Sequence, residues 1–335
     1  MAEKVLKKIG IKTTSGKTRE LGMIGFIIVI SIFVQMRNPN FLTLENINDL
    51  VKNTAILSIL AVGMMLVMIT KGIDLSIGAT LALAGMSASL MVSNNPSMSP
   101  IIAIGIGIAV GTLCGAVVGG LVSKGGIYPI IATLGMMNVY RGLTFKASGG
   151  KWVSAQQMSA SFKGIATGSI LGINNLIFIA IIIYIISYYF INHTRTGRKI
   201  YAVGSNPESA EVSGINNKRI LFMVYTIMGA LAGLAGVLWV SKFASAQGDT
   251  ASGYELSVIA ACVLGGVSSS GGSGTISGIL IGSLLLGILN NALPLINVST
   301  FWQNAIQGSI ILIAIIVNTI VKRRVDKTNL SRRKI

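Results

Sequence analysis

The chain has 335 residues, 52% hydrophobic and 11% charged, with a mean hydropathy of +0.74. A soluble domain carries about 25% charged residues, so this composition excludes a water-soluble globular protein. The formal charge of +17 is large enough for a nucleic-acid binder, but that function needs one basic face with interleaved aromatics, and aromatics make up only 6% here.

Apolar runs approaching the ~20 residues of a membrane-spanning helix recur along the chain, and none shows the alternation of a membrane barrel strand. Residues 1–19 are basic and read as a cytoplasmic N-terminus, with no small-residue cleavage site behind the first apolar run. Gly16-Lys17-Thr18 ends like a phosphate loop, but position 11, where that motif needs Gly, is Ile. The first span is expected at about 20–36. An outside segment at 37–53 follows, with a short surface helix starting at Thr43-Leu44-Glu45-Asn46. The second span is expected at 54–70, and a polar interruption at 71–78 leads into a third that ends near Val92. The fourth covers 100–122 and the fifth 127–145, joined by a cytoplasmic turn at 124–126. An outside loop at 146–168 precedes the sixth span at 169–192. A polar interval, 193–219, contains the only His and five Lys/Arg. The seventh span is expected at 220–243, an outside turn at 245–253 and a short eighth span at 254–267. A Ser/Gly-rich stretch, 268–274, leads to the ninth at 275–293, and the tenth covers 300–321 before a basic tail at 323–335.

This reading gives an all-α polytopic membrane protein of about ten helices with both termini cytoplasmic. Of the 27 Lys/Arg, six precede the first run, five lie in 193–219 and seven follow Val321. With Lys71 and Lys124, 20 of the 27 fall on the inside, as the positive-inside bias requires. Cys114 and Cys262 fall within apolar runs and read as small packing residues, not a disulfide.

The two halves share markers. Gly111-Thr112-x-x-Gly115-x-x-x-Gly119 recurs as Gly274-Thr275-x-x-Gly278-x-x-x-Gly282, and Ile73-Asp74-Leu75-Ser76 recurs as Tyr254-Glu255-Leu256-Ser257. Five spans per half turn the second repeat (169–322) upside down relative to the first (20–168), with 193–219 inside the join. Transporters commonly carry substrate between such halves. The glycines at four-residue spacing put small residues on one helical face and let backbones approach.

Within the polar interval, Ser205 or Asn206 can cap a helix, Pro207 suits its first position, Glu208 favours its positive end, and Gly214 can take the left-handed position that closes it. A two-turn helix over 207–213 is too short to be stable alone and is expected to dock on something. Asp74 and Glu255 are the acids nearest the membrane. Each starts a span, where a carboxylate caps backbone donors, and each could also face a passage. Arg141 is expected to snorkel towards the outer surface. Ser76, Asn138, Asn291 and Gln303 (with Asn290, Asn304 and Gln307) are neutral hydrogen-bonding groups of the kind a polyol passage needs. No metal cluster, nucleophile–base pair or nucleotide motif is present, so catalysis by this chain alone is not expected.

Gly72-Ile-Asp-Leu-Ser-Ile-Gly-Ala, Pro129-Ile-Ile-Ala-Thr-Leu-Gly-Met-Met, Tyr201-Ala-Val-Gly-Ser-Asn-Pro-Glu-Ser-Ala, Val263-Leu-Gly-Gly-Val and Phe301-Trp-Gln-Asn-Ala-Ile-Gln-Gly together resemble the ribose-type permeases of bacterial ABC importers, over about residues 20–322. The resemblance implies a dimeric membrane core (homodimer or paralogue pair), a cytoplasmic ATPase that holds ATP and Mg, an extracytoplasmic sugar-binding protein and a place in the bacterial cell membrane. It also implies that Pro207–Ser213 is the coupling helix, with Asn206, Pro207, Glu208, Ala210, Glu211, Ser213, Gly214 and Ile215 meeting the ATPase. The family extends to autoinducer-2 permeases. From the inverted repeat alone, an ion-gradient-driven secondary transporter stands as the alternative.

Overall fold

The computed structural model describes residues 15–299 and, beyond them, Trp302, Gln303, Ala305, Ile306, Gly308, Ser309, Leu312 and Ile316. Most of the expected tenth span, including Asn304 and Gln307, lies outside the described residues, as do residues 1–14 and the tail at 323–335. The described chain forms helices α1 (Ser15–Arg37), α2 (Leu44–Ile69), α3 (Ile77–Asn94), α4 (Pro100–Ser123), α5 (Pro129–Ser148), α6 (Ala160–Thr167), α7 (Asn175–His193), α8 (Arg195–Ser205), α9 (Pro207–Val212), α10 (Asn217–Phe243), α11 (Tyr254–Gly265) and α12 (Ile276–Leu295). Seven of these are long and apolar enough to cross a membrane: α1 (from Glu20), α2, α3, α4, α7, α10 and α12. α5 also has 20 residues, but Arg141 and Lys146 interrupt its apolar character. With 12 residues, α11 reaches only ~18 Å, about half a bilayer.

α2 is the centre of the bundle. From Thr54 to Ile69 every residue is buried, because the helix packs on α7, α10, α11 and α12. A helix apolar all round has this place in a fold. α1 and α7 instead expose Ile28, Val29, Phe33, Ile185 and Tyr189, the outward surface of a protein whose solvent is lipid.

Small residues close the inter-helix contacts. α4 lies against α10 so tightly that a Cβ on Gly111 would overlap the Gly229 carbonyl and come within 2.6 Å of the Gly233 Cα. Gly115 meets Tyr225 and Gly229, and Gly119 meets Phe222. In the second set, Gly278 and Gly282 let α12 approach the Gly265 and Ala261 carbonyls of α11. Gly274 precedes its helix and packs on Met65, Ile69 and Val267, so the second set presents only two glycines on a helical face.

Four boundaries differ from expectation. Thr43 caps a helix that continues unbroken to Ile69, because its Oγ1 accepts from the Asn46 N–H and no breaker follows, so the expected surface helix and second span are one element. The start of the sixth span is a hairpin pairing Ser169 with Asn174 and Ile170 with Ile173, turned by Leu171 (φ 54°) and Gly172 (φ 77°). The polar interval holds a helix before the expected one: α8, capped when Thr194 accepts from the Gly197 N–H. The 245–253 turn is folded back into the bundle.

Candidate functional site

Polar and broken segments gather in two places. The first is at the α9 end. Asn206 Oδ1 accepts from the Ser209 N–H at 3.0 Å, Pro207 opens α9, and Gly214 (φ 78°) closes it, with the Ile215 N–H donating to the Ala210 carbonyl at 2.9 Å. Asn217 Nδ2 donates to the Pro207 carbonyl at 2.8 Å, which ties α9 to the start of α10. Ala210 is buried beneath, while Glu208, Glu211, Ser213 and Gly214 are exposed, and Val212 is 90% exposed. This six-residue helix turns an exposed apolar side chain and two carboxylates away from the bundle.

α9 hangs from α8, and α8 is stitched to both breaks in the bundle. Gly204 packs on the Ile69 carbonyl at the end of α2, leaving no room for a Cβ. That carbonyl accepts from the Gly272 N–H at 2.9 Å, and Gly272 in turn packs on Ser205. Tyr201 Oη donates to the Gly274 carbonyl at 2.6 Å, just before α12. Burial raises the pKa of the Tyr201 hydroxyl, so it stays a neutral donor. The α2–α3 break, the α11–α12 break and the root of α9 thus meet at one point. Sequence reading places Tyr201 and Gly204 within a family motif but gives them no role of their own, because their partners Gly274 and Ile69 are far away in the chain.

The second place lies deeper. Asp74 Oδ1 accepts from the Ser76 N–H (2.8 Å) and Oγ (2.6 Å), with both residues buried, so Asp74 satisfies the start of α3. Thr133 of α5 donates to the Ile73 carbonyl, and the Tyr225 hydroxyl of α10 packs on Gly72. Gly78, in the first turn of α3, faces the Ala251 carbonyl and the Glu255 carboxylate at the start of α11. The structure therefore brings Asp74, Ser76 and Glu255 around one helix start.

Arg141 supplies the other side. It does not snorkel: its Nη1 donates to the carbonyls of Gly248 (2.9 Å) and Thr250 (2.7 Å). Arg141 stands seven residues before the end of α5, so its bonds draw the 245–253 segment in from that end of the helix. A bridge between Val153 and Ala246 and the packing of Gly248 on Phe145 hold it there. Buried carbonyls need donors, and the two N–H groups of Arg141 Nη1 supply one to each. Asp249, Ser252 and Gly253 remain exposed on this segment, as does Asn138 on α5, whose Nδ2 is turned back onto the Leu134 carbonyl.

Asn291 and Gln303 lie elsewhere. Asn291 exchanges two side-chain hydrogen bonds with Asn46 (3.0 and 2.9 Å), clamping α12 to α2, and Gln303 Nε2 donates to the Val298 carbonyl. Among the described residues no three His, Cys, Asp or Glu converge on a metal position.

This arrangement of long apolar helices interrupted at two polar junctions can be compared with known proteins. Residues 46–315 match the family described as branched-chain amino acid transport system / permease component. The chain belongs to that family. It is 40% identical over 298 residues to the ribose import permease protein of Escherichia coli (strain K12), covering 88% of this chain and 92% of the relative. The ribose import permease protein of Bacillus subtilis (strain 168) is 40% identical over 304 residues, 90% of this chain and 94% of the relative. The autoinducer 2 import system permease protein of Enterobacter sp. (strain 638) is 33% identical over 300 residues, 88% of this chain and 85% of the relative. No solved structure matches the chain. The protein is a multi-pass cell-membrane permease, a transport component rather than a catalytic subunit.

Proposed function

We propose that this chain is the membrane subunit of an ATP-driven importer of a monosaccharide, a ribose-like pentose or hexose. The observation that carries the reading is the near-full-length match to ribose import permeases. A separate cytoplasmic ATPase binds ATP and Mg, and an extracytoplasmic binding protein delivers the sugar. α9 is the coupling helix seated on the ATPase, through Asn206, Pro207, Glu208, Ala210, Glu211, Ser213, Gly214 and Ile215. Its exposed apolar tip and its tethering to both breaks support that role.

The seven long helices, α5, α11 and the segment at 300–321 supply ten membrane elements in two inverted repeats. The α9 end is cytoplasmic, a placement supported by the distribution of Lys/Arg. A second permease subunit covers α5, which packs along α3 and α4 and leaves Ile131, Leu134 and Asn138 exposed. The passage runs between the two copies, past the exposed face of the 245–253 segment and near Asp74, Ser76 and Glu255.

The test is reconstitution in vesicles with the ATPase and binding protein that copurify with this chain. ATP-dependent accumulation of radiolabelled ribose or a close analogue is the expected result. Uptake that persists without the ATPase but collapses with an ion gradient would overturn it.

A further inference from the structure

α8 lies across the first turns of α10, and the two helices leave a groove of about 610 Å³ between them. Its lining is graded. The exposed Lys199, Asn216 and Arg219 form the rim, while Phe222, Met223 and Ile227, with Thr226 among them, continue it along α10. α10 is a membrane-spanning helix whose first residue is Asn217, so the rim sits where a bilayer has its headgroups and the apolar part sits where acyl chains begin. α8 has the pattern of a helix lying in that same plane. Gly197, Ile200, Val203 and Gly204 are buried, and Arg195, Arg198 and Lys199 are exposed.

The rim charges are free. Lys199 and Arg219 make no side-chain hydrogen bond or ion pair among the described residues, where the one ion pair is Lys52–Asp49 at 3.3 Å. Asn216 uses Oδ1 to accept from the Arg219 N–H at 2.9 Å, which leaves its Nδ2 free to donate. Two cations and an amide donor around one opening suit a phosphodiester, and a mostly apolar floor continuous with it, where the Thr226 hydroxyl is already spent on the Phe222 carbonyl, suits an acyl chain. An acidic protein surface would satisfy the rim but leave Phe222, Met223 and Ile227 uncovered.

We propose that this groove is a binding site for an anionic phospholipid, with its phosphate between Lys199 and Arg219 and one acyl chain along Phe222, Met223 and Ile227. The site belongs to the leaflet on the α9 side and anchors α8, from which α9 hangs. It is separate from the sugar passage.

The experiment is native mass spectrometry of the full-length protein in mild detergent, titrated with phosphatidylglycerol, with phosphatidylcholine of the same chain length, and with inorganic phosphate. Phosphatidylglycerol adducts are expected to exceed phosphatidylcholine adducts and to fall about 30-fold in Lys199→Gln/Arg219→Gln, since each juxtamembrane cation contributes roughly fivefold. Either single variant, should the double one fail to purify, is expected to lose about fivefold on the same basis. Arg195→Gln/Arg198→Gln, on the same helix but outside the groove, is expected to keep its adducts. Equal retention of the two lipids, an equal loss in the Arg195/Arg198 variant, or inorganic phosphate binding as tightly as the lipid would each overturn the proposal. The readout does not depend on sidedness or sugar, so its failure is distinct from failure of the transport reading.

Discussion

Replacing Arg141 with Met keeps a flexible, unbranched but shorter side chain and removes its charge and donors. Both hydrogen bonds to the 245–253 segment are lost, and the Gly248 and Thr250 carbonyls are left without partners. Hydrogen bonds from a charged donor contribute roughly 1.5–3 kcal/mol each, so the pair holds the segment by about 3–6 kcal/mol. The half-buried guanidinium also pays for its own desolvation, which Met does not, so the lower bound is the fairer figure. At ~1.4 kcal/mol per factor of ten, about 3 kcal/mol raises the opening constant of the segment roughly 150-fold. Hydrogen exchange reads this directly. The Ala246, Thr250, Ser252 and Tyr254 amides are hydrogen-bonded to Val153, Gln247, Asp249 and Ala251 and report the closed segment. In Arg141→Met their protection is expected to fall by the same factor of about 150, while amides of α4 and α10 keep theirs. Arg141→Lys, a point charge without the fork, is expected to fall between. Unchanged protection at those four amides would refute the anchoring role.

Tyr201→Phe removes one neutral hydrogen bond and is expected to cost about 1 kcal/mol of stability, yet to reduce sugar uptake per inserted molecule disproportionately; full uptake would count against the junction as a mechanical link. Gly111→Ala drives a methyl group into the α10 backbone and is expected to destabilise by about 1–3 kcal/mol in a detergent thermal melt. Gly105→Ala, with open space around it, is the control and is expected to be neutral or slightly stabilising. Glu208→Arg with Gly214→Val is expected to abolish uptake while the protein still reaches the membrane, since it reverses charge on α9 and strains a position held at φ 78°. Normal uptake by that variant would remove α9 from the coupling path.

Most of the helical frame was legible because apolar runs and their breakers are local signals. The caps of α9 are one example: Asn206, Pro207 and Gly214 each have a mechanism that operates within a few residues. The Gly111, Gly115 and Gly119 ladder was readable as a packing face, but not its partner. Gly229 and Gly233 show the same four-residue spacing on α10 and could have been paired with it. What local reading could not supply was depth. Arg141 near the end of an apolar run reads as a snorkelling cation, and 245–253 as a surface turn, because the bonds between them join residues more than 100 positions apart. Asp74 and Glu255 were visible as acids at helix starts. That both border the first turn of α3 follows from how α3, α5 and α11 meet, which no spacing encodes. The partner of Asn291 was equally illegible, because Asn46 lies 245 positions away.

The point where Gly204, Ile69 and Gly272 meet is made almost wholly of main chain. Contacts of that kind survive nearly any change of side chain on the exposed surface of α9, and they fail with the addition of one methyl group at Gly204. The two surfaces of this small assembly are thus free to drift at different rates. If α9 seats on an ATPase as proposed, what it presents there could change residue by residue, while its attachment to the bundle stays fixed by atoms every amino acid shares. On that reading, the proposed coupling surface could be refitted to a different motor without disturbing the Gly204–Ile69–Gly272 junction.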